Sequence, residues 1–448
     1  MMSKTPICDF VKKYADSGIT RLHMPGHKGS GFLGVEKYDI TEIDGADVLY
    51  KSEGIIRESE DIASKLFGTG RTVYSCEGSS LSIRAMLYLA LLYGKSLSKK
   101  PVILAARNAH KVFMTASALL DFETVWMFPE TSESIISCAI SPSKLDVKLN
   151  EMNEKPIAVY VTSPDYLGNM SDIGGISAVC KKHGVLLLVD NAHGAYLAFT
   201  DKKMHPIALG ADMCCDSAHK TLPVLTGGGY LHISKSAPAL FSEQAENAMS
   251  IFASTSPSYL IMQSIDMANK HISDGYKEKL GCFIETLDRL KSELEAHGFT
   301  LCGNEPLKLT IFAKPYGYTG FQIAEILENT GIVCEFSDPD YVTMMFTPEI
   351  CDDALRKLEN VLKQIPKKEK ITEKAPDIGI PEVVLSPREA MFAVIERISV
   401  KDSAGRILAQ TNVSCPPAIP IVVCGERITD EAVKLFEYYG IEYCDVIK

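Results

Sequence analysis

None of the thirteen cysteines stands in C-x-x-C spacing with another, and their number is odd. Both facts speak against a disulfide framework or a cysteine-rich zinc module, so reduced thiols and no bound metal are expected. Long apolar runs are missing too. No uncharged stretch reaches the roughly 20 residues that a membrane-spanning helix needs, and Lys4, Asp9, Lys12 and Lys13 interrupt any leader-like apolar segment at the start. Positive charge is in deficit: 46 Lys and Arg against 57 Asp and Glu leave a net charge of −11. A broad nucleic-acid surface needs clustered cations to displace counterions, so that class is excluded. There is no internal repeat, heptad run or low-complexity tract. These absences leave a soluble, cytoplasmic globular protein with neither a membrane nor a nucleic-acid partner.

What is present is an ordinary balance, 46% apolar and 23% charged, over 448 residues. That length exceeds what one core usually organises, so two or three domains are expected. Short apolar strands at 72–76, 102–106, 158–162, 185–190, 212–216 and 229–234 alternate with helical stretches, notably 80–94 and 174–183. Such alternation predicts an α/β fold whose mostly parallel central sheet is covered by helices on both faces. The spacing of Ile55, Ser59, Ile62, Ala63, Leu66 and Phe67 predicts a helix that stops at Gly68. The expected boundaries are an N-terminal arm over 1–54, a large domain over 55–274 and a small α+β domain over 275–365. A charged, proline-punctuated linker at 366–382 and a C-terminal subdomain at 383–448 follow. Ser386, Pro387 and Glu389 form a capping box that opens a helix in that subdomain.

Four segments carry chemistry. DSAHKTLP (216–223) ends a candidate strand and offers Lys220, whose amine can form an imine with an aldehyde cofactor, beside Ser217 and His219, suited to a phosphate. VLLLVDNAHGAY (185–196) delivers Asp190 to the carboxyl end of a strand, where open α/β sheets bind ligands. A carboxylate there can pair with a protonated pyridine nitrogen. In CEGSSLSIRAMLYLALL (76–92) the run Gly78–Ser79–Ser80 places free N–H groups and two hydroxyls at a helix N-terminus, a phosphate cradle. RNAHK (107–111) brings His110 after another strand, where its ring can stack on an aromatic cofactor. Each has a plain structural reading: a loop lysine, a turn-capping Asp, an N-cap serine, a structural histidine. Together they supply what pyridoxal phosphate (PLP) requires.

Taken together, the chain resembles the fold-type-I PLP-dependent decarboxylases of ornithine, lysine and arginine, in their short bacterial form. The resemblance runs almost end to end, through RLHMPGHKG (21–29), YDITEIDGADVL (38–49), EGSS (77–80), RNAHK (107–111) and TSPDYLGNMSDI (162–173). It continues through VDNAHGAY (189–196), SAHKTLP (217–223), TSPSYL (255–260), SPREA (386–390) and CPPAIPIVVCGERI (415–428). It implies decarboxylation of arginine, lysine or ornithine to agmatine, cadaverine or putrescine through a Schiff base on Lys220. It further implies that Asp190 pairs with the pyridine nitrogen, His110 stacks on the ring with Ala192 and His193 beside it, and Gly78, Ser79, Ser80, Ser217 and His219 surround the phosphate. Two subunits are expected to complete each active site, so a homodimer is the minimum unit. Departures concern the substrate mouth. Asn191 stands where many members have Glu, Tyr50 where His is frequent, Asp165 where Thr is frequent, Cys415 where Tyr is usual and Ala418 where Gly is usual. Carboxylates that select a basic side chain are sought in Asp165 and Glu426. The competing readings are another activity on the same fold, an aminotransferase or aldolase, and a catalytically silent PLP-binding regulator.

Overall fold

The computed structural model describes residues 4–129, 134–377, 379–410, 414–415 and 419–448. Ala418 and the side chain of Cys415, two of the departures noted above, lie outside the described part. The chain separates into two compact units. The first comprises Met1–Lys100, Ile157–Val159 and Ile173–Gly281; the second comprises Pro101–Pro156, Tyr160–Asp172 and Cys282–Lys448.

Helix α1 (Pro6–Ala15) opens the first unit with proline in its first turn. Within the expected arm, Ile7 and Val11 are one helical turn apart and both are buried. Asp266 receives the backbone N–H groups of Ile7 and Cys8, each at 3.0 Å, satisfying donors at the helix start that its own N-cap leaves bare. Helix α2 (Ile55–Phe67) has the expected bounds and stops on Gly68 at φ +71°, a left-handed position that glycine adopts without strain.

The large sheet has strand order β1-β7-β6-β5-β4-β2-β3. Its strands are β1 (Arg71–Ser75), β2 (Val102–Ala106), β3 (Glu123–Met127), β4 (Ala158–Thr162), β5 (Leu186–Asp190), β6 (Met213–Asp216) and β7 (Gly229–Ile233). In the first unit β5 and β6 run parallel, whereas β7 is antiparallel to both β6 and β1. Among these four strands β7 is the reversed one, in a sheet that is mostly parallel, and strand spacing alone does not reveal the reversal. Helix α3 (Gly78–Ser96) packs on β6 and β7. It is apolar nearly all round, from Leu81 to Ala90, as a helix covered on several sides must be.

In the second unit β2 and β3 pair in parallel. The strand β3 was not anticipated, although its Thr, Val and Trp are strand-forming residues. A helix at Pro142–Glu151 was likewise missed, despite Ser141 capping it and Pro142 at its first position. Strands β8 (Thr300–Cys302), β9 (Lys308–Phe312), β10 (Phe336–Ser337) and β11 (Tyr341–Met345) form an antiparallel sheet in the order β10-β11-β9-β8. Phe336 and Tyr341 share a core with Val400, Leu408, Leu435, Phe436 and Val446 of the C-terminal segment. The capping box at Ser386 is present, with both reciprocal bonds formed.

Candidate active site

In the first unit, register brings several strand ends to one edge of the sheet. Asp190 pairs with Cys215 across β5 and β6, Asp216 with Tyr230 across β6 and β7, and Ser75 with Gly229 across β7 and β1. The turns that leave these ends carry most of the polar residues singled out from the sequence.

The turn after β1 leads into α3 at Gly78, which has φ +65°. No side chain caps the helix start; Gly78 N donates to Gly227 O at 2.6 Å, which leaves the N–H groups of Ser79 and Ser80 to serve an anion. Ser217 Oγ donates to Ser79 Oγ at 2.9 Å, joining a hydroxyl from the end of β6 to one at that helix start. His219 Nδ1 lies 2.9 Å from the Gly228 carbonyl, which holds the ring beside the same turn. The backbones here approach closely. A Cβ on Gly229 would lie 2.9 Å from Asp216 O and 3.0 Å from Gly78 C, so only glycine fits.

The turn after β6 is a short helix, Ala218–Thr221, that presents Lys220. Lys220 Nζ is hydrogen-bonded to His193 Nε2 at 3.0 Å. His193 follows Asp190 by three residues, and both are buried. Asp190 Oδ1 accepts from Ala192 N at 3.2 Å and lies 3.7 Å from Cys215 Sγ on the neighbouring strand. Lys220, His193, Asp190, Ala192, Gly78, Ser79, Ser80, Ser217 and His219 thus belong to one unit and to the turns at one sheet edge. An amine, a buried carboxylate and a hydroxyl-lined helix start with uncapped N–H groups are the donor set that PLP needs for its aldehyde, ring nitrogen and phosphate. The residues fit that group. Tyr50, in the same unit, has φ +70° and a buried hydroxyl without a hydrogen-bond partner among the described residues. Burial pushes its pKa up.

The remaining candidates lie in the second unit. His110 caps helix α4 (Lys111–Leu120), its Nδ1 accepting from Val112 N at 3.2 Å. Asp165 is buried and accepts from the backbone and side-chain amides of Asn169, at 2.8 and 3.0 Å. Burial raises its pKa against those bonds. Glu426 Oε2 lies 3.1 Å from Arg107 Nη2 and accepts from Val423 N at 2.6 Å. Burial pushes its pKa up while Arg107 opposes the rise. Arg107 also donates to the carbonyls of Pro420 and Ile421, both at 3.1 Å. Both acids are therefore engaged within their own unit. The role of Arg107 escaped sequence reading, because its partners lie more than 300 positions away.

Comparison with known proteins identifies the family. The Orn/Lys/Arg decarboxylase major domain matches residues 5–301, and the C-terminal domain of the same family matches residues 369–442. The chain is 30% identical to an arginine decarboxylase of Bacillus subtilis (strain 168) over 466 residues, covering 96% of this chain and 92% of that protein. It is 28% identical to an arginine decarboxylase of Halalkalibacterium halodurans, covering 95% and 91%. The inducible lysine decarboxylase of Escherichia coli (strain K12) is 20% identical, covering 97% and 76%. The crystal structure of the Francisella novicida lysine decarboxylase LdcF superposes with a TM-score of 0.81 at 18% identity, over 99% of this chain and 81% of that one. That likeness establishes the fold-type-I architecture, which the described strands and helices share.

Proposed function

Since the chain belongs to the Orn/Lys/Arg decarboxylase family of PLP-dependent amino-acid decarboxylases, we propose that it decarboxylates arginine to agmatine, with Lys220 as the residue that bonds the cofactor. The Lys220–His193 hydrogen bond, three residues from Asp190, carries the assignment of the lysine. Arginine is preferred to lysine and ornithine because the relatives aligned here at 28–30% identity are arginine decarboxylases, whereas the lysine enzyme stands at 20%.

When bound, PLP supplies an aldehyde that captures the substrate amine and a ring that takes up the electron pair left as CO₂ departs. The protein supplies position and charge. Ser79, Ser217 and the N–H groups at the start of α3 would hold the phosphate, with Gly78, Ser80 and His219 shaping the cradle. Asp190 would keep a proton on the ring nitrogen, a stabilisation in place before the reaction begins. His110 would be the ring-stacking group that the resemblance implies. Lys220 would bond the cofactor's aldehyde and, once free, donate a proton to Cα, with His193 Nε2 orienting its amine. We further propose a homodimer with shared active sites. Leu22, Phe32 and Leu33 of the arm are almost wholly exposed, an apolar surface of the kind that a second copy covers.

The test is direct. PLP-loaded protein given arginine, lysine and ornithine separately should release CO₂ and agmatine from arginine fastest. Formation of a keto acid without CO₂ would replace this reading with a transaminase. Borohydride reduction followed by peptide mass spectrometry should place the cofactor's mass on Lys220, and Lys220→Ala should lose both label and turnover. Light scattering should give twice the chain mass; a monomer at full activity would refute the shared site.

A further inference from the structure

In the first unit a buried bond ties the turn after β5 to the turn after β6. Asn191 follows Asp190 and Asp216 precedes Ser217, and both are fully buried. Asn191 Nδ2 donates to Asp216 Oδ1 at 2.7 Å, and Asn191 N donates to Cys215 O at 3.0 Å. Both bonds cross from the end of β5 to the end of its parallel neighbour β6. A glycine keeps room for the side chain: a Cβ on Gly194 would lie 2.1 Å from Asn191 Oδ1.

Asp216 is held from its other side as well. Its Oδ2 lies 3.1 Å from His205 Nε2 and 3.2 Å from His232 Nε2, and Thr72 Oγ1 lies 2.9 Å from His232 Nδ1. Burial pushes the carboxyl up, but His205 and His232 outweigh it and hold Asp216 below the ordinary carboxylate range. A carboxylate only accepts, so both imidazoles turn an N–H toward it and Asn191 supplies a third donor. A buried polar group satisfied on both oxygens is rigid, which makes Oδ1 a fixed acceptor for Asn191. Both ends of the bond adjoin the groups proposed to meet the cofactor. Ala192 N donates to Asp190 Oδ1 at 3.2 Å, His193 reaches Lys220 Nζ at 3.0 Å, and Ser217 donates to Ser79 at 2.9 Å. A slip of one turn past the other would displace all three contacts together, and a misplacement of about 1 Å costs about 10²-fold in rate.

Building on the PLP-dependent reading above, we propose that Asn191 and Asp216 are positioning residues for the decarboxylation, their bond fixing the spacing between the Asp190 carboxylate and the Lys220 amine. They act through those two groups and not on the substrate. The bond needs one donor facing one acceptor. Asn191→Asp sets two carboxylates face to face. Asp216→Asn, with its oxygen still serving the histidines, turns one NH₂ toward another. Exchanging both residues restores a single donor–acceptor pair at unchanged net charge.

The test compares four full-length, PLP-loaded proteins: the parent, Asn191→Asp, Asp216→Asn and the double exchange, each checked for fold by circular dichroism. Each single exchange should lower kcat by roughly 10- to 100-fold, with KM for arginine within about twofold of the parent. Each should also shift the visible absorption maximum of bound PLP. The double exchange should regain most of kcat and return the maximum to its parent position. A role in stability alone would lower the melting temperature and leave both the maximum and kcat per folded chain unmoved; that result would overturn the proposal. So would a double exchange no better than either single one. Should a variant at 216 fail to fold, Asn191→Ala decides, because it leaves Asp216 both histidines; it should show the same loss and shift, and parent-like values would overturn the proposal. A parent that binds PLP yet releases no CO₂ from arginine, lysine or ornithine overturns the functional reading and this inference with it, whereas an active parent with unaffected variants overturns this inference alone.

Discussion

Lys220 Nζ and His193 Nε2 stand 3.0 Å apart although 27 residues separate them in the chain. The contact forms because β5 and β6 are parallel neighbours, so the turns that leave their carboxyl ends emerge side by side. Opposite a protonated lysine amine, which can only donate, an imidazole nitrogen in this position accepts. A neutral ring in that position orients the amine without repelling it.

The first prediction follows from that contact. His193→Ala removes the partner that orients Lys220, and a misplaced proton donor costs roughly 10²-fold in turnover. Steady-state kinetics should show the loss in kcat, with PLP still bound by absorbance. Unchanged kcat would mean that His193 plays no part in the reaction.

Ser217 offers a test of the phosphate cradle. Its hydroxyl meets Ser79 at the uncapped start of α3. Hydrogen bonds to a charged group contribute about 1.5–3 kcal/mol, so Ser217→Ala should weaken PLP binding by about tenfold or more. Fluorescence titration of the cofactor-free protein measures this. An unaltered dissociation constant would move the phosphate elsewhere.

Glu426 was expected near the substrate, yet it is buried against Arg107. Removing one member of a buried pair leaves the other charge uncompensated, at about 3–5 kcal/mol. Glu426→Gln should therefore lower the urea midpoint markedly and leave KM for arginine close to that of the parent. The opposite pattern, intact stability with a raised KM, would restore it as a substrate-binding acid.

A pH dependence comes from Glu60. Burial pushes its pKa from 4.5 up to about 8, despite a bond from Tyr74 N at 2.9 Å. A raised folded-state value means that the group's stability contribution is present at low pH and lost as pH rises through that folded value. Glu60→Gln stays neutral throughout. Between the two pKa values the variant should gain on the parent by up to about 1.4 kcal/mol per pH unit. Thermal melts of the two proteins across that range provide the comparison; parallel curves would show Glu60 already ionised.

Much of the scaffold was legible without coordinates, for a local reason. The span of α2, its glycine stop and the capping box at Ser386 depend on residues within one or two turns of each other. Six of the large sheet's strands showed as apolar runs, and the residues at their ends pointed to a bound aldehyde cofactor before any partner was seen. The strand β3 was missed because it is only half-buried along most of its length. The engagement of Asp165 by Asn169 lies only four residues away in sequence, yet a loop's hydrogen bonds follow no periodic pattern that could have announced it.

By itself, the order of amino acids determined the elements, the caps and the types of group at the strand ends. Tertiary structure decided which of those groups meet. The reversal of β7, the contact of Lys220 with His193, the pairing of Arg107 with Glu426 and the convergence of His205 and His232 on Asp216 all depend on strand order and register. The physical reason is range. Backbone preference and side-chain periodicity act over a few residues, whereas these contacts join segments that only a folded sheet or a packed core brings within hydrogen-bond reach.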